Sequence, residues 1–179
     1  EAWIERDDFA EIPPKGFFRL FPGNKVRLKY GLVVECTGCE KDADGTITAV
    51  LAELVPDTKS GTPGADSVKV KGNLHWVSAA QSYAAEIRLY ERLFKVPAPG
   101  ARREGDAPDL ERNFLDDLNP DSAQTITAQL EPCLRDAGPE ERFQFERHGY
   151  FVADRVDSRP GAPVFNRAVT LKDSWGKAG

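Results

Sequence analysis

The chain has 179 residues, 40% of them hydrophobic, with 24 Lys and Arg against 29 Asp and Glu for a net charge of -5. That suffices for one domain of ordinary size or two small ones, and no run approaches the ~18 apolar residues of a membrane helix. An acidic chain does not coat nucleic acid at large, because non-specific binding follows the overall basic field, so any nucleic-acid role must be local.

The chain starts at Glu1, not Met, and no signal peptide precedes Trp3, so an upstream part of the polypeptide is expected. Residues 15–30, KGFFRLFPGNKVRLKY, carry Lys15, Arg19, Lys25, Arg27 and Lys29 with no acidic residue, and four aromatics, Phe17, Phe18, Phe21 and Tyr30. Cations suit phosphates, and flat side chains suit unstacked bases, so this is a candidate site for single-stranded RNA. The plainer reading is a solvated strand face. Val26, Leu28, Tyr30, Leu32 and Val34 alternate with Arg27, Lys29, Gly31 and Val33. That period of two predicts one strand with the cations on its outer face.

Lys41-Asp42-Ala43-Asp44-Gly45 predicts a turn and 46–54 a returning strand, which makes 24–55 a hairpin. A loop is expected over 56–66 and a third strand over 67–78, broken at Gly72. A further strand is expected over 85–94. The Pro- and Gly-rich 95–109 reads as a linker, 110–118 as a short helix and 124–130 as a strand, with late strands over 143–155 and 163–172. Trp76 and Trp175 read as core. The whole predicts a mainly β protein built of small antiparallel barrels.

Three cysteines, an odd number, suggest reduced thiols and a cytoplasmic setting. Cys36 and Cys39 form a C-x-x-C pair that ends a strand, whereas a redox pair opens a helix. Zinc would require further ligands from Cys133, His75 and His148, which are distant from it and from each other, so no metal site is expected. No G-x-S-x-G, Walker A, dinucleotide or H-E-x-x-H motif occurs, and His75 reads as structural. Asp116-Asp117 reads as a solvated face. No catalytic residue is assigned.

Six strings occur in order: WIERDDF (3–9), KVRLKY (25–30), KVKGNLHWVSAA (69–80), EIRLYERLF (86–94), FQFERHGYF (143–151) and VFNRAVTLKDSW (164–175). Together they resemble the C-terminal anticodon-binding region of bacterial glutaminyl-tRNA synthetases, class I aminoacyl-tRNA synthetases. The resemblance implies two L25-like β-barrels, a distal one at 16–96 and a proximal one from 1–15 and 97–179. It implies binding of the tRNA(Gln) anticodon loop by a monomer without membrane attachment. ATP and Mg would belong to an upstream catalytic domain, whose H-I-G-H-like and K-M-S-K-S-like strings are absent here. This chain would then need no cofactor.

The resemblance also implies residue roles. Arg19 matches an arginine at the third anticodon base, and Arg27 one at the first, with Lys29 nearby on the same strand face. Gln144 and Arg147 match residues at the central uracil. Lys15 and Phe18 complete the candidate RNA-binding set. Phe18 stands where the family pattern has lysine and Gly16 where it has glutamine, which exchanges a charge contact for stacking. A further family arginine at the central base would lie before residue 1. Strand parity sets Arg147 with Phe143 and Phe145, away from Gln144, unless a bulge precedes Gly149. Alternative readings are the anticodon-binding part of an archaeal or eukaryotic-type glutamyl-tRNA synthetase, an L25-like 5S rRNA-binding ribosomal protein and, with least support, a hydrolase.

Overall fold

The structure is a computed structural model that describes residues 1–107 and 109–171. Trp175, expected in the core, and Lys172, expected to end the last strand, lie outside the described residues, as does Pro108 of the expected linker. The chain divides into two compact units, Glu1–Gln81 and Ser82–Gly179. The described residues are mainly β, with short 3-10 turns as the helical elements.

The first unit contains β1 (Ala2–Trp3), β2 (Lys25–Leu28), β3 (Val33–Lys41), β4 (Ile47–Leu54), β5 (Gly72–Leu74) and β6 (Val77–Ser78). Its main sheet has the order β4-β3-β2-β5, and β1 pairs with β6. Phe9, Leu20, Val26, Val34, Cys36 and Leu74 form the core. The expected single strand over 26–34 is instead a tight hairpin, with Val26 facing Val34 and Arg27 facing Val33 across β2 and β3. The chain reverses at Tyr30, whose φ is 59°, and Leu28 and Leu32 close the turn through a 2.9 Å backbone bond. The hydrophobic alternation runs through both strands and their turn, so periodicity could not show the reversal. Arg27 is therefore in a strand and Lys29 in a turn, not side by side on one strand face.

The turn expected at 41–45 is present. The Asp42 carboxylate accepts from the amides of Asp44 and Thr46, and Gly45 takes a φ of 82°. The third strand breaks at His75–Trp76, not at Gly72. Gly72 begins β5, pairs in parallel with Val26 and is there for space. A Cβ at this position would overlap the Phe18 carbonyl oxygen and come within 2.7 Å of Val26 Cγ1.

The second unit contains β7 (Tyr83–Tyr90), β8 (Ala123–Leu130), β9 (Arg142–Phe145), β10 (Gly149–Ala153) and β11 (Val164–Val169) in the order β8-β7-β11-β10-β9. Its core is Ala85, Ile87, Leu130, Phe151, Ala153 and Phe165. Phe145 stacks on Phe151 with ring centres 4.4 Å apart and meets Phe165 edge-on. The expected helix at 110–118 is a single 3-10 turn, Phe114–Asp117, capped by the Asn113 side chain. The expected strand at 143–155 is the β9–β10 hairpin, turning through 146–148.

Each of the two larger sheets holds one parallel pair, β2 with β5 and β7 with β11. Among the described pairings neither sheet closes on itself. The architecture is thus mainly β with open sheets, and the all-antiparallel closed barrels are not formed by these pairings. Strand β7, which falls in the 16–96 segment, pairs with β8 and β11 of the second unit. Within 1–15, Trp3 pairs with Val77 and Phe9 bridges to Leu20 in the first unit.

Beyond β10, Asp154 ties the second unit together. Its carboxylate accepts from the amides of Asp157 and Val156 at 2.8 Å and from Asn166 Nδ2 at 2.6 Å, with Arg88 at 3.5 Å. These bonds favour the charged form and hold its pKa at about 2, below the ordinary 3.8. A depressed pKa contributes stability that is fully present above the unfolded value and is lost as pH falls through the folded one. Acid unfolding of the chain should therefore show a loss of stability between 3.8 and about 2, and Asp154→Asn should remove that component. Equal acid dependence of the two proteins in urea titrations would reject the assignment.

Candidate nucleic-acid interface

The segment before β2 is held by the first unit's core. Leu20 is buried, its amide donates to the Asp8 carbonyl at 2.9 Å, and its own carbonyl accepts from Ala10. That pairing draws Arg19 onto Asp8, a fully buried carboxylate, with Nη1 at 2.8 Å from Oδ1. The same Nη1 donates to the Asp7 carbonyl. Just before it, Phe18 keeps its ring 52% exposed while the Lys71 ammonium lies 5.0 Å from the ring centre. Lys15 is exposed.

Arg27 is occupied in a different way. Its Nη1 donates to the carbonyls of Thr58 at 2.6 Å and Gly31 at 3.2 Å and to Ser60 Oγ at 3.4 Å, and Nη2 donates to the Ala65 carbonyl. Lys25 pairs with Glu35 at 3.1 Å. Arg19, Lys25 and Arg27 of the 15–30 stretch thus have internal partners. At the β2–β3 turn, Lys29 Nζ lies 5.1 Å from the centre of the Tyr30 ring, and Tyr30 is 79% exposed. Trp76 is partly buried, and its indole N–H donates to the Lys29 carbonyl at 2.9 Å. This agrees with a structural role rather than a stacking platform.

In the second unit the β9–β10 hairpin presents Gln144 directly opposite Tyr150, both exposed. Arg147 sits at the turn with a φ of 70°. The strand ends at Phe145, so parity does not carry to Arg147, which lies in the three-residue turn 146–148. The register irregularity lies instead between Tyr150 and Phe151, against β11. Gly149, with φ 141°, admits the Val169 carbonyl where a Cβ would stand. Gln144 and Arg147 belong to one unit, and Lys15, Phe18, Arg19, Arg27 and Lys29 to the other.

Sequence reasoning passed over Lys59, Lys71 and Tyr150. Lys71 stands in the VKVKG string but meets Phe18 only through the fold, and Tyr150 meets Gln144 only through the hairpin register. Buried Cys36 is raised in pKa chiefly by burial, and it lies with Cys39 on β3 against the core. Among the described residues, no group of three or more His, Cys, Asp or Glu is placed to hold a metal ion, and no helix is long and apolar enough to cross a membrane.

An anchored basic segment with exposed aromatics in one unit and a Gln/Tyr hairpin in the other suits recognition of unstacked bases. Comparison with known proteins agrees. Two family models, each described as tRNA synthetases class I (E and Q), anti-codon binding domain, match residues 1–55 and 73–154. This chain belongs to that family of anticodon-binding domains. The first match carries Arg19 and Arg27, the second Gln144 and Arg147. The proteins named Glutamine--tRNA ligase from Ralstonia nicotianae and Cupriavidus taiwanensis are each 71% identical over 177 residues, covering 99% of this chain and 29% of the relative. The one from Bordetella avium is 63% identical over 175 residues, covering 98% and 28%. The chain therefore spans less than a third of the length of these relatives. The matches do not favour the ribosomal, glutamyl or hydrolase alternatives.

Within this anticodon-binding family member, Arg19 is as much a structural cation as a candidate RNA contact. Replacing it removes the ion pair with the buried Asp8 carboxylate. Arg19→Ala should cost about 1–3 kcal/mol, the usual range for losing a charged hydrogen bond at a buried group. Arg19→Lys should cost less. Urea unfolding of the three proteins measures this, and an unchanged midpoint for Arg19→Ala would show that the pair contributes nothing.

Proposed function

We propose that this chain recognises the anticodon loop of tRNA(Gln) as the anticodon-binding part of an ATP-dependent glutamine–tRNA ligase that works in translation. The observation that carries this reading is 71% identity over 99% of the chain to proteins named Glutamine--tRNA ligase. In this reading the chain is monomeric and cytoplasmic. ATP and magnesium are handled by the parent's catalytic domain, and no residue described here is assigned to them.

The site residues divide by chemistry. Gln144 offers an amide donor and acceptor to the central base, with Tyr150 across the strand pair as a flat neighbour and Arg147 at the turn. In the first unit, Phe18 stacks on a base and Arg19, anchored through Nη1, is held beside the third anticodon position. Lys15, Lys29 and Lys71 neutralise phosphates. An ammonium already resting over an aromatic ring can swing to a phosphate while the ring receives a base, because both pairings draw on the same exposed face.

Neutralising three or four loop phosphates should make log K fall with log salt at a slope of about -2 to -3, since single strands release ~0.7 counterion per contact. The acidic remainder of the chain should keep non-specific RNA binding weak. Titrating an anticodon stem-loop with a glutamine anticodon and one with a scrambled anticodon across salt measures both effects. A flat slope, or equal affinity for the two loops, would overturn the reading.

A further inference from the structure

The loop between β4 and β5 carries no strand, yet it is tightly organised. Thr58 is fully buried. Its hydroxyl accepts from the Val33 amide at 2.9 Å and donates to the Val55 carbonyl at 2.7 Å. Asp57 takes a φ of 58°, and a Cβ at Gly64 would overlap the Asp57 carbonyl. The tip of the loop rests on the β2–β3 turn, where the Ser60 amide and hydroxyl both donate to the Gly31 carbonyl, at 2.9 and 3.1 Å. Arg27 donates from β2 to the same Gly31 carbonyl and to Thr58, Ser60 and Ala65 of the loop.

A guanidinium is a rigid planar fork, so it can fix several acceptors at once where an ammonium cannot. Here it binds three points of the loop to one point of the turn. Next to that junction stand Lys59, exposed and adjoining Ser60, and the Lys29–Tyr30 pair adjoining Gly31. Tyr30 is held in the left-handed region, a costly conformation for a side-chain-bearing residue that the surrounding structure must enforce.

We propose that Arg27 is a positioning residue, which pins loop 57–65 to the 29–31 turn so that Lys59, Lys29 and Tyr30 form one nucleotide-contacting surface, Tyr30 stacking a base and the two lysines meeting its phosphates. This rests on the anticodon-loop reading. It differs from the direct base contact that the family resemblance implies for Arg27, and it adds Tyr30 and Lys59 to the site.

The test uses the full 179-residue chain and an anticodon stem-loop with a glutamine anticodon. Tyr30→Ala should weaken binding about 5- to 150-fold, the range of one base–aromatic stack. Lys59→Ala should lower the salt slope by about 0.7. Arg27→Lys, which keeps the charge but not the fork, should speed amide exchange in 57–65. Its loss of affinity should largely vanish when it is added to the Tyr30→Ala, Lys59→Ala pair, because residues that act through one another are not additive. Fully additive losses, or unchanged exchange in the loop, would return Arg27 to direct RNA contact and overturn the inference. Wild-type affinity in both Tyr30→Ala and Lys59→Ala would also overturn it, with the anticodon reading intact. Failure of the wild-type chain to bind the stem-loop would remove that reading first and this inference with it.

Discussion

The first unit is built around the absence of a side chain at Gly72. The Phe18 carbonyl and Val26 Cγ1 occupy the space a Cβ would take, so the segment before β2 lies directly over the β2–β5 pair. From that close approach follow the place of Leu20 in the core, the pairing of residues 8–10 with 20, and the delivery of Arg19 to buried Asp8. It also sets Phe18 beside Lys71, the residue just before Gly72. Any larger residue there would have to push the segment off, since close-packed interiors do not absorb extra atoms cheaply.

The cations of the basic stretch then sort by what surrounds them. Lys25 has a carboxylate across the β2–β3 pair, and Arg19 has one buried beneath it. Arg27 has only oxygen dipoles, but four of them, arranged at fork geometry. Arginine suits the last two positions because its donors are fixed in a plane and it gives up hydration more readily than an ammonium. Lysine occupies the exposed positions, at 15, 59 and 71, where a flexible stem and a compact charge can follow a mobile phosphate. The positive charge that reads as one block in sequence is thus divided between holding the fold and facing solvent.

In the second unit the parallel β7–β11 pair takes the corresponding role. Strands joined in parallel need a long connection, and here that connection contains β8, β9 and β10. Across the pair Tyr90 donates to Asn166, while Asn166 donates to Asp154 after β10 and Arg88 bridges Glu86 of its own strand and Asp157. The β9–β10 hairpin hangs on the other side of β11 through an aromatic cluster of Phe143, Phe145, Phe151 and Phe165. With Phe145 turned inward, Gln144 must face out, and the register places Tyr150 opposite it.

Much was legible in the residues alone. Alternating Val, Leu and Phe marked the strands, Asp-Gly marked the 41–45 turn, and six ordered strings marked the family, because short-range periodicity and identity are properties of the chain itself. The reversal at Tyr30 and the turn at Arg147 were not, since hydrophobic alternation looks the same in one long strand as in two strands folded back at a residue with positive φ. Nor was the division between Arg27 as a fork inside the fold and Lys29 at the turn beside Tyr30, as both read simply as charge on one strand. That division depends on loop 57–65, some thirty positions away, arriving with its carbonyls in place. Tertiary structure decided it for a physical reason: a guanidinium's role is set by the acceptors that close around it, and those come from segments that local sequence does not bring together.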